Sequence, residues 1–326
     1  MGLTFEVNAA PRAPSAADAE ELRRALGAAP LPSIPSRYFY DERGSRLFAA
    51  ITALPEYYLT RVEHALLARV AGDLARCAPV SELVELGSGA SAKVRLLIDA
   101  LGGEGRLRRC VLLDISAEAL RESVAALATA YPALAFRGVI GDFVEDLEAI
   151  GPGGDRLIAF LGSTIGNLHP TREVPAFLAR VARQLEPGDA FLLGVDLVKD
   201  RETLEAAYND AAGVTAEFNR NILRVVNRRF DADFDPADFE HLAFYDEERR
   251  WIEMRLRARR RVRARVRGAG LVVSLPRGGE IRTEISCKYT RRTLAACARG
   301  TGLAIERWFS GRERAFALAL LRRDPR

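Results

Sequence analysis

Leu83-Val84-Glu85-Leu86-Gly87-Ser88-Gly89-Ala90-Ser91-Ala92-Lys93 is the stretch whose reading decides the fold. An apolar run ends in an acid, two glycines follow, and a helical pattern then begins. That is the strand–turn–helix opening of a doubly wound α/β sheet. The glycines let the backbone come close to a ligand lying across the sheet edge. A dinucleotide fingerprint, G-x-G-x-x-G, would need a third glycine. Here the glycines stop at Gly89, and Ser91-Ala92-Lys93 follows.

Working outward, Cys110-Val111-Leu112-Leu113-Asp114 is a second apolar run ending in an acid. It predicts a buried strand whose terminal carboxylate can accept both hydroxyls of a ribose. Arg137 to Ile140 predicts a third strand, followed by Gly141-Asp142-Phe143, where an acid can take an adenine amino group and a ring can cover the base. Leu157 to Leu161 predicts a fourth, leading into Gly162-Ser163-Thr164-Ile165-Gly166-Asn167-Leu168. Ligands of open α/β sheets bind outside the carboxyl ends of the strands, where all these groups fall. The Glu85-x-Gly87-x-Gly89 pattern has the form of the first motif of S-adenosylmethionine (SAM) methyltransferases.

Length and composition narrow the class. The 326 residues are 48% hydrophobic, enough for a large core in one or two domains. Formal net charge is +4, and the basic balance comes from arginine, because Lys93, Lys199 and Lys288 are the only lysines. Lysine kept at three positions in so arginine-rich a chain hints that a compact ammonium is wanted there. Cys77, Cys110, Cys287 and Cys297 show no C-x-x-C spacing, and His64, His169 and His241 lie far apart. No metal site and no disulfide framework are expected. No long uncharged apolar run and no basic-then-apolar leader stand out, which predicts a soluble cytoplasmic protein.

Helix and strand patterns alternate over 62–196, ending with a strand at Ala190–Val195 and Asp196. Leu197–Asn227 then reads as helices broken near Gly213. Phe239–Tyr245, Trp251–Val266, Leu271–Leu275 and Ile281–Tyr289 read as antiparallel strands, Arg291–Gly300 as a helix, and Leu303–Trp308 and Ala315–Leu321 as two strands closing the main sheet. The expected domains are therefore 62–196 with 289–326, and 1–61 with 197–288, the second capping the sheet edge. A helix is expected near Ala17–Leu26. The aromatic blocks Tyr38-Phe39-Tyr40-Asp41 and Leu54-Pro55-Glu56-Tyr57-Tyr58 fit either core packing or a lid of hydroxyl-bearing rings. Arg255, Arg257, Arg259, Arg261, Arg263, Arg265 and Arg267 alternate with mostly apolar residues, so period-two spacing puts all seven on one strand face. Such a stripe can bind a phosphate backbone. It lacks interleaved aromatics after Trp251, and Glu253 shares its face, so a solvated face is expected and no nucleic-acid partner. Met254 falls on the opposite, apolar face. Glu284 and Ser286 share one face of their strand, Ile285 and Cys287 the other.

These blocks together resemble the L-histidine Nα-methyltransferases of ergothioneine biosynthesis. The resemblance runs through Leu54–Tyr58, Glu85–Gly89, Phe160–Leu168, Asp196–Asp200, Ala211–Ala216, Phe218–Asn221, Ala232–Asp235, Ile252–Met254 and Thr283–Lys288. It implies a class I SAM-methyltransferase Rossmann-like sheet with an inserted α+β substrate-binding domain. It also implies trimethylation of the α-amine of L-histidine with SAM as methyl donor. SAM contacts are implied at Gly87, Lys93, Asp114, Asp142 and Phe143. The substrate positions are Tyr57, Asn167 and Tyr208, with Glu284 and Ser286 on the imidazole side. Tyr40, Thr164, Thr215, Phe218 and Met254 match residues near that pocket. The alternative is the same chemistry on another amino acid or amine, such as a tryptophan derivative. Two further readings, a nucleic-acid-binding Rossmann protein and a SAM-binding protein without catalysis, carry less of the pattern.

Methyl transfer from a sulfonium needs no covalent nucleophile and no metal. The protein must hold a neutral amine in line with the methyl, with Tyr40, Thr164 and Asn167 positioning it. The α-ammonium must lose a proton, through backbone carbonyls near Gly162–Thr164 or through a tyrosine-bound water. Asn167 and Tyr208 can donate to the substrate carboxylate. The expected partners are the small-molecule substrate alone, with no membrane, and the expected state is a monomer.

Overall fold

The computed structural model describes residues 4–6, 14–87, 92–103 and 105–324. Ser88-Gly89-Ala90-Ser91 of the opening motif lies outside the described residues. The chain divides into two compact units. One comprises residues 1–10, 59–198 and 287–326, the other 11–58 and 199–286.

The first unit carries an eight-stranded sheet. Its strands are β1 (Thr4–Glu6), β2 (Glu82–Leu86), β3 (Arg109–Asp114), β4 (Ala135–Ile140), β5 (Arg156–Phe160), β6 (Ala190–Asp196), β12 (Leu303–Ser310) and β13 (Phe316–Arg323). The order is β1-β4-β3-β2-β5-β6-β13-β12. Neighbours from β1 to β6 run parallel, while β13 is antiparallel to β6 and β12 to β13. Residues 1–61 were expected to go with 197–288. Thr4–Glu6 departs from that, because its backbone pairs with Arg137–Val139 of β4. From β2 the chain steps out to β3 and β4, then returns to β5 on the other side of β2. The carboxyl ends of β2 and β5 therefore form the topological switch point.

The central strands read as unbroken apolar runs because both sheet faces are covered. Leu83, Cys110, Leu112, Leu157, Ala159 and Leu192 belong to a core shared with α3 (Tyr58–Cys77), α4 (Ala92–Gly103) and α5 (Ala117–Ala130). On the opposite parity, Phe160 lies 5.1 Å from Phe177 of α6 (Glu173–Gln184), and Phe191 lies 6.4 Å from Phe177. A last helix of this unit, α9 (Arg291–Ala298), is closed by a capping box at Thr290.

In the second unit, α1 (Ala16–Leu26), α2 (Glu42–Thr52), α7 (Arg201–Ala206) and α8 (Val214–Phe230) accompany a three-stranded sheet of order β11-β8-β7. These strands are β7 (Phe239–Asp246), β8 (Trp251–Ala258) and β11 (Glu280–Cys287). A separate antiparallel pair is formed by β9 (Val262–Val266) and β10 (Leu271–Leu275). The break before α8 falls at Gly213, and Asp210 caps the helix by accepting the Val214 and Thr215 N–H groups, each at 2.8 Å.

The single strand expected over Trp251–Val266 is two strands, with residues 259–261 turning between β8 and β9. The seven-arginine face is therefore not one face. Arg255 and Arg257 pair with Glu280 at 2.6 and 2.8 Å, Arg267 sits in a 3-10 turn facing Asp231 and Asp233, and Arg263 and Arg265 line β9. Carboxylates from other elements divide the stripe, and register across a turn cannot be read from alternation alone.

Candidate functional site

In the first unit the predicted residues collect at the carboxyl ends of β2, β3, β4 and β5. Gly87 leaves β2 with φ +71°, a left-handed conformation that favours glycine, and its N–H donates to Leu113 O at 2.8 Å. Among the described residues, a Cβ added there would meet nothing within 4 Å. Glu85, one turn of the pleat earlier, is 1% exposed, and its Oε2 has no hydrogen-bond partner among the described residues. Burial pushes its pKa well above the usual carboxylate range, against the pull of Lys93. Asp114, at the end of β3, is oriented by accepting the Ser116 N–H at 2.8 Å. Asp142, after β4, accepts the Val144 N–H at 2.7 Å. The Phe143 ring lies 4.8 Å from Phe160 and 6.0 Å from Phe177, so it extends the core's aromatic cluster to the sheet edge. Open backbone at Gly87, carboxylates at two strand ends and a ring beside them fit a ligand carrying an amino acid chain, a ribose and a base.

Lys93, at the start of α4, donates to Glu63 Oε2 at 2.7 Å. Sequence reasoning missed Glu63. Its side chain is 1% exposed, and both of its oxygens accept the Gly162 N–H, at 2.7 and 2.9 Å. One buried carboxylate of α3 thus holds both Lys93 and the first residue of the loop after β5. Gly194 in β6 faces it so closely that an added Cβ would lie 2.3 Å from Oε1. That loop carries Thr164, whose hydroxyl donates to Leu161 O at 2.9 Å, and Asn167, half-buried at the end of a 3-10 turn. Ser163 Oγ accepts the Asp196 N–H at 2.9 Å, tying the loop to β6. Lys288 Nζ lies 2.9 Å from Asp196 Oδ2, both side chains being fully buried.

The second unit gathers the remaining predicted residues. Tyr208, after α7, donates its hydroxyl to Ser286 Oγ at 2.8 Å. Ser286 and Glu284 share a face of β11 and are both buried, at 3% and 9% exposure. Ile281 and Thr283, of the other parity, are buried too, and Thr283 Oγ1 donates to Asn219 Oδ1 at 2.7 Å. The Tyr57 ring meets Tyr208 edge-on at 6.3 Å and Phe48 at 6.2 Å. Phe48 and Tyr40 contact Phe218 at 6.0 and 5.9 Å, and Phe218 stacks on Phe39 at 4.4 Å. Phe39 and Tyr40 of the first aromatic block and Tyr57 of the second thus join one ring cluster through Phe218 and Phe48. Met254 in β8 is 1% exposed, and Thr215 in the first turn of α8 is 3% exposed. Lys199 Nζ reaches the Tyr58 hydroxyl at 2.7 Å.

Asn219 and His241 were also missed. His241 Nε2 lies 2.8 Å from Tyr208 O, and its Nδ1 2.9 Å from Asn219 Nδ2. A signal existed for Asn219 and Glu63. Each sits on the apolar stripe of its helix, where a polar residue needs a partner. Among the described residues no cluster of His, Cys, Asp and Glu could hold a metal ion, and no helix is long and apolar enough to cross a membrane.

Comparison with known proteins places these residues in a family. The model of a histidine-specific, SAM-dependent methyltransferase family matches residues 18–323. The histidine N-alpha-methyltransferase of Mycolicibacterium smegmatis is 46% identical over 310 residues, covering 94% of this chain and 96% of that protein. The histidine N-alpha-methyltransferase of Mycobacterium tuberculosis is 45% identical over 288 residues, covering 88% and 89%. Ergothioneine biosynthesis protein 1 of Neurospora crassa is 35% identical over 225 residues, covering 66% of this chain and 25% of that protein. With its sheet order, its strand-end acids and a match over nearly its whole length, the chain belongs to the histidine-specific, SAM-dependent methyltransferases.

Proposed function

We propose that this enzyme transfers three methyl groups from SAM to the α-amine of L-histidine, giving N,N,N-trimethylhistidine (hercynine) for ergothioneine biosynthesis. The observation that carries the reading is the family match over residues 18–323. When bound, SAM supplies a methyl already activated on its sulfonium. Gly87, Lys93, Asp114, Asp142 and Phe143 hold it, the acids accepting ribose and base donors. Asn167 and Tyr208 orient the substrate carboxylate. Tyr40, Tyr57 and Thr164 position the amine, and Thr215, Phe218 and Met254 shape the pocket. Glu284 and Ser286 take the imidazole. The chain contributes orientation rather than a nucleophile, and alignment of the reacting atoms alone can be worth several kcal/mol.

The state we assign is a monomer. The divided arginine stripe supports a small-molecule partner rather than a nucleic acid or membrane, and the cytoplasm is the compartment we assign. The test is mass spectrometry of L-histidine incubated with the protein and SAM. A mass gain of three methyl groups on the α-nitrogen is expected. Methylation of tryptophan in preference to histidine would overturn the reading.

A further inference from the structure

A hydrogen-bonded chain crosses the second unit behind Tyr208. Thr283 Oγ1 donates to Asn219 Oδ1 at 2.7 Å and lies 3.1 Å from Met254 O. Asn219 Nδ2 faces Arg255 O at 3.0 Å and His241 Nδ1 at 2.9 Å. The Arg255 carbonyl can only accept, so it fixes the amide with its nitrogen toward His241. His241 Nδ1 must then be the unprotonated ring nitrogen. The other nitrogen, Nε2, faces the Tyr208 carbonyl at 2.8 Å, and a carbonyl can only accept. His241 is therefore neutral with its proton on Nε2, and the other tautomer would set a donor against a donor at Nδ1 and an acceptor against an acceptor at Nε2. Burial independently depresses its pKa.

The carbonyl that His241 takes is not an ordinary one. Tyr208 lies one residue past the Ala207 C-cap of α7, outside the helix's own hydrogen-bond ladder. A second tie, Asn209 Nδ2 to Ala243 O at 3.1 Å, holds the neighbouring residue to β7. The Tyr208 N–H donates to Glu205 O at 3.1 Å, and His241 adds a side-chain donor to the Tyr208 carbonyl, next to the 2.8 Å Tyr208–Ser286 hydroxyl pair on the Glu284 face of β11.

We propose that His241, oriented by Asn219, is a positioning residue for the amino acid substrate. It presents a fixed Nε2–H that seats Tyr208 against Ser286 without touching substrate or SAM. The inference rests on the histidine reading of the site.

The experiment compares His241→Phe, His241→Asn and His241→Gln by steady-state kinetics, calorimetric SAM binding and thermal unfolding. Gln can still reach Tyr208 O with its amide nitrogen; Phe has no donor and Asn is too short. Loss of one to two hydrogen bonds predicts a histidine KM raised about tenfold in the Phe and Asn variants. Removing uniform binding predicts kcat and SAM affinity within about threefold of the parent enzyme. Gln should restore KM to within about threefold, one weak hydrogen bond's worth. If Phe does not fold, Asn carries the comparison. Unchanged KM in a folded Phe or Asn variant would overturn the proposal, as would a Gln variant no better than Asn or SAM affinity falling in step with KM. A parent enzyme that neither binds nor methylates histidine would instead overturn the function reading.

Discussion

Replacing Glu63 with Gln tests how much of the SAM site depends on one carboxylate outside the family motif. The change keeps size and shape but leaves a single acceptor oxygen. Three contacts depend on the present pair: two to the Gly162 N–H, at 2.7 and 2.9 Å, and one to Lys93 Nζ at 2.7 Å. If the remaining oxygen keeps Gly162, an N–H group faces an ammonium. Hydrogen bonds to charged groups are worth ~1.5–3 kcal/mol, and breaking a buried ion pair costs ~3–5 kcal/mol. Lys93 retains 20% side-chain exposure, so water recovers part of the loss. The expected cost is ~2–3 kcal/mol of stability, below that of a fully buried pair. Urea unfolding should show a lowered midpoint, and calorimetry a SAM affinity weakened about tenfold, the equivalent of ~1.4 kcal/mol. The Glu63→Gln/Lys93→Met double variant should regain stability, since no ammonium is left facing the amide. Gly194→Ala should reproduce the binding defect with all charges intact, because its methyl would sit 2.3 Å from Oε1. Parental midpoint and parental SAM affinity in Glu63→Gln would refute the reasoning.

Asp114→Ala removes an acceptor of charge-assisted hydrogen bonds worth ~1.5–3 kcal/mol each, so SAM affinity should fall at least about tenfold by calorimetry with circular dichroism unchanged. Asn167→Ala should raise the histidine KM while leaving SAM affinity near parental; the reverse order in a titration would put this loop on the wrong ligand. Glu284→Ala should cut kcat/KM for histidine by about a hundredfold or more and narrow its ratio to tryptophan, because sites built around a polar group reject analogues lacking it. Lys288→Met removes the ammonium 2.9 Å from Asp196, a carboxylate at 0% exposure, so unfolding should show a loss of ~3–5 kcal/mol, largely regained in Lys288→Met/Asp196→Asn.

The parts legible in the sequence are those where local pattern and burial agree. β2, β3, β5 and β6 are covered on both faces, so each reads as an apolar run, and the acids that close β2, β3 and β6 stand out for being polar where the run stops. Gly213 announces the start of α8 because that backbone is left-handed. The misreading at Trp251–Val266 has the opposite cause. Alternation resumes in the same parity after the turn at 259–261, and the one sign of the break is Arg260, which stands where an apolar residue would continue the strand. Glu63, Asn219 and His241 stayed hidden because their partners are distant in sequence, 99 residues away for Gly162 and 33 for Tyr208. The stripe they interrupt marks them as partnered but not with what.

The three lysines join the composition to the site. In a chain this rich in arginine, a retained lysine needs a physical reason, and each has a similar one. Lys93 Nζ meets Glu63 Oε2 at 2.7 Å, Lys199 Nζ meets the Tyr58 hydroxyl at 2.7 Å, and Lys288 Nζ meets Asp196 Oδ2 at 2.9 Å. Each ammonium reaches an oxygen as a compact point charge. An arginine fork is planar, wider and best satisfied by bidentate acceptors. Glu63 already spends both oxygens on Gly162, so Lys93 meets a carboxylate edge that is already shared. The rest of the surface can exchange lysine for arginine freely because its ion pairs are solvated and contribute little. Two of the three also tie down segments beside strand ends, Lys93 through Glu63 to Gly162 after β5 and Lys288 to Asp196 at the end of β6.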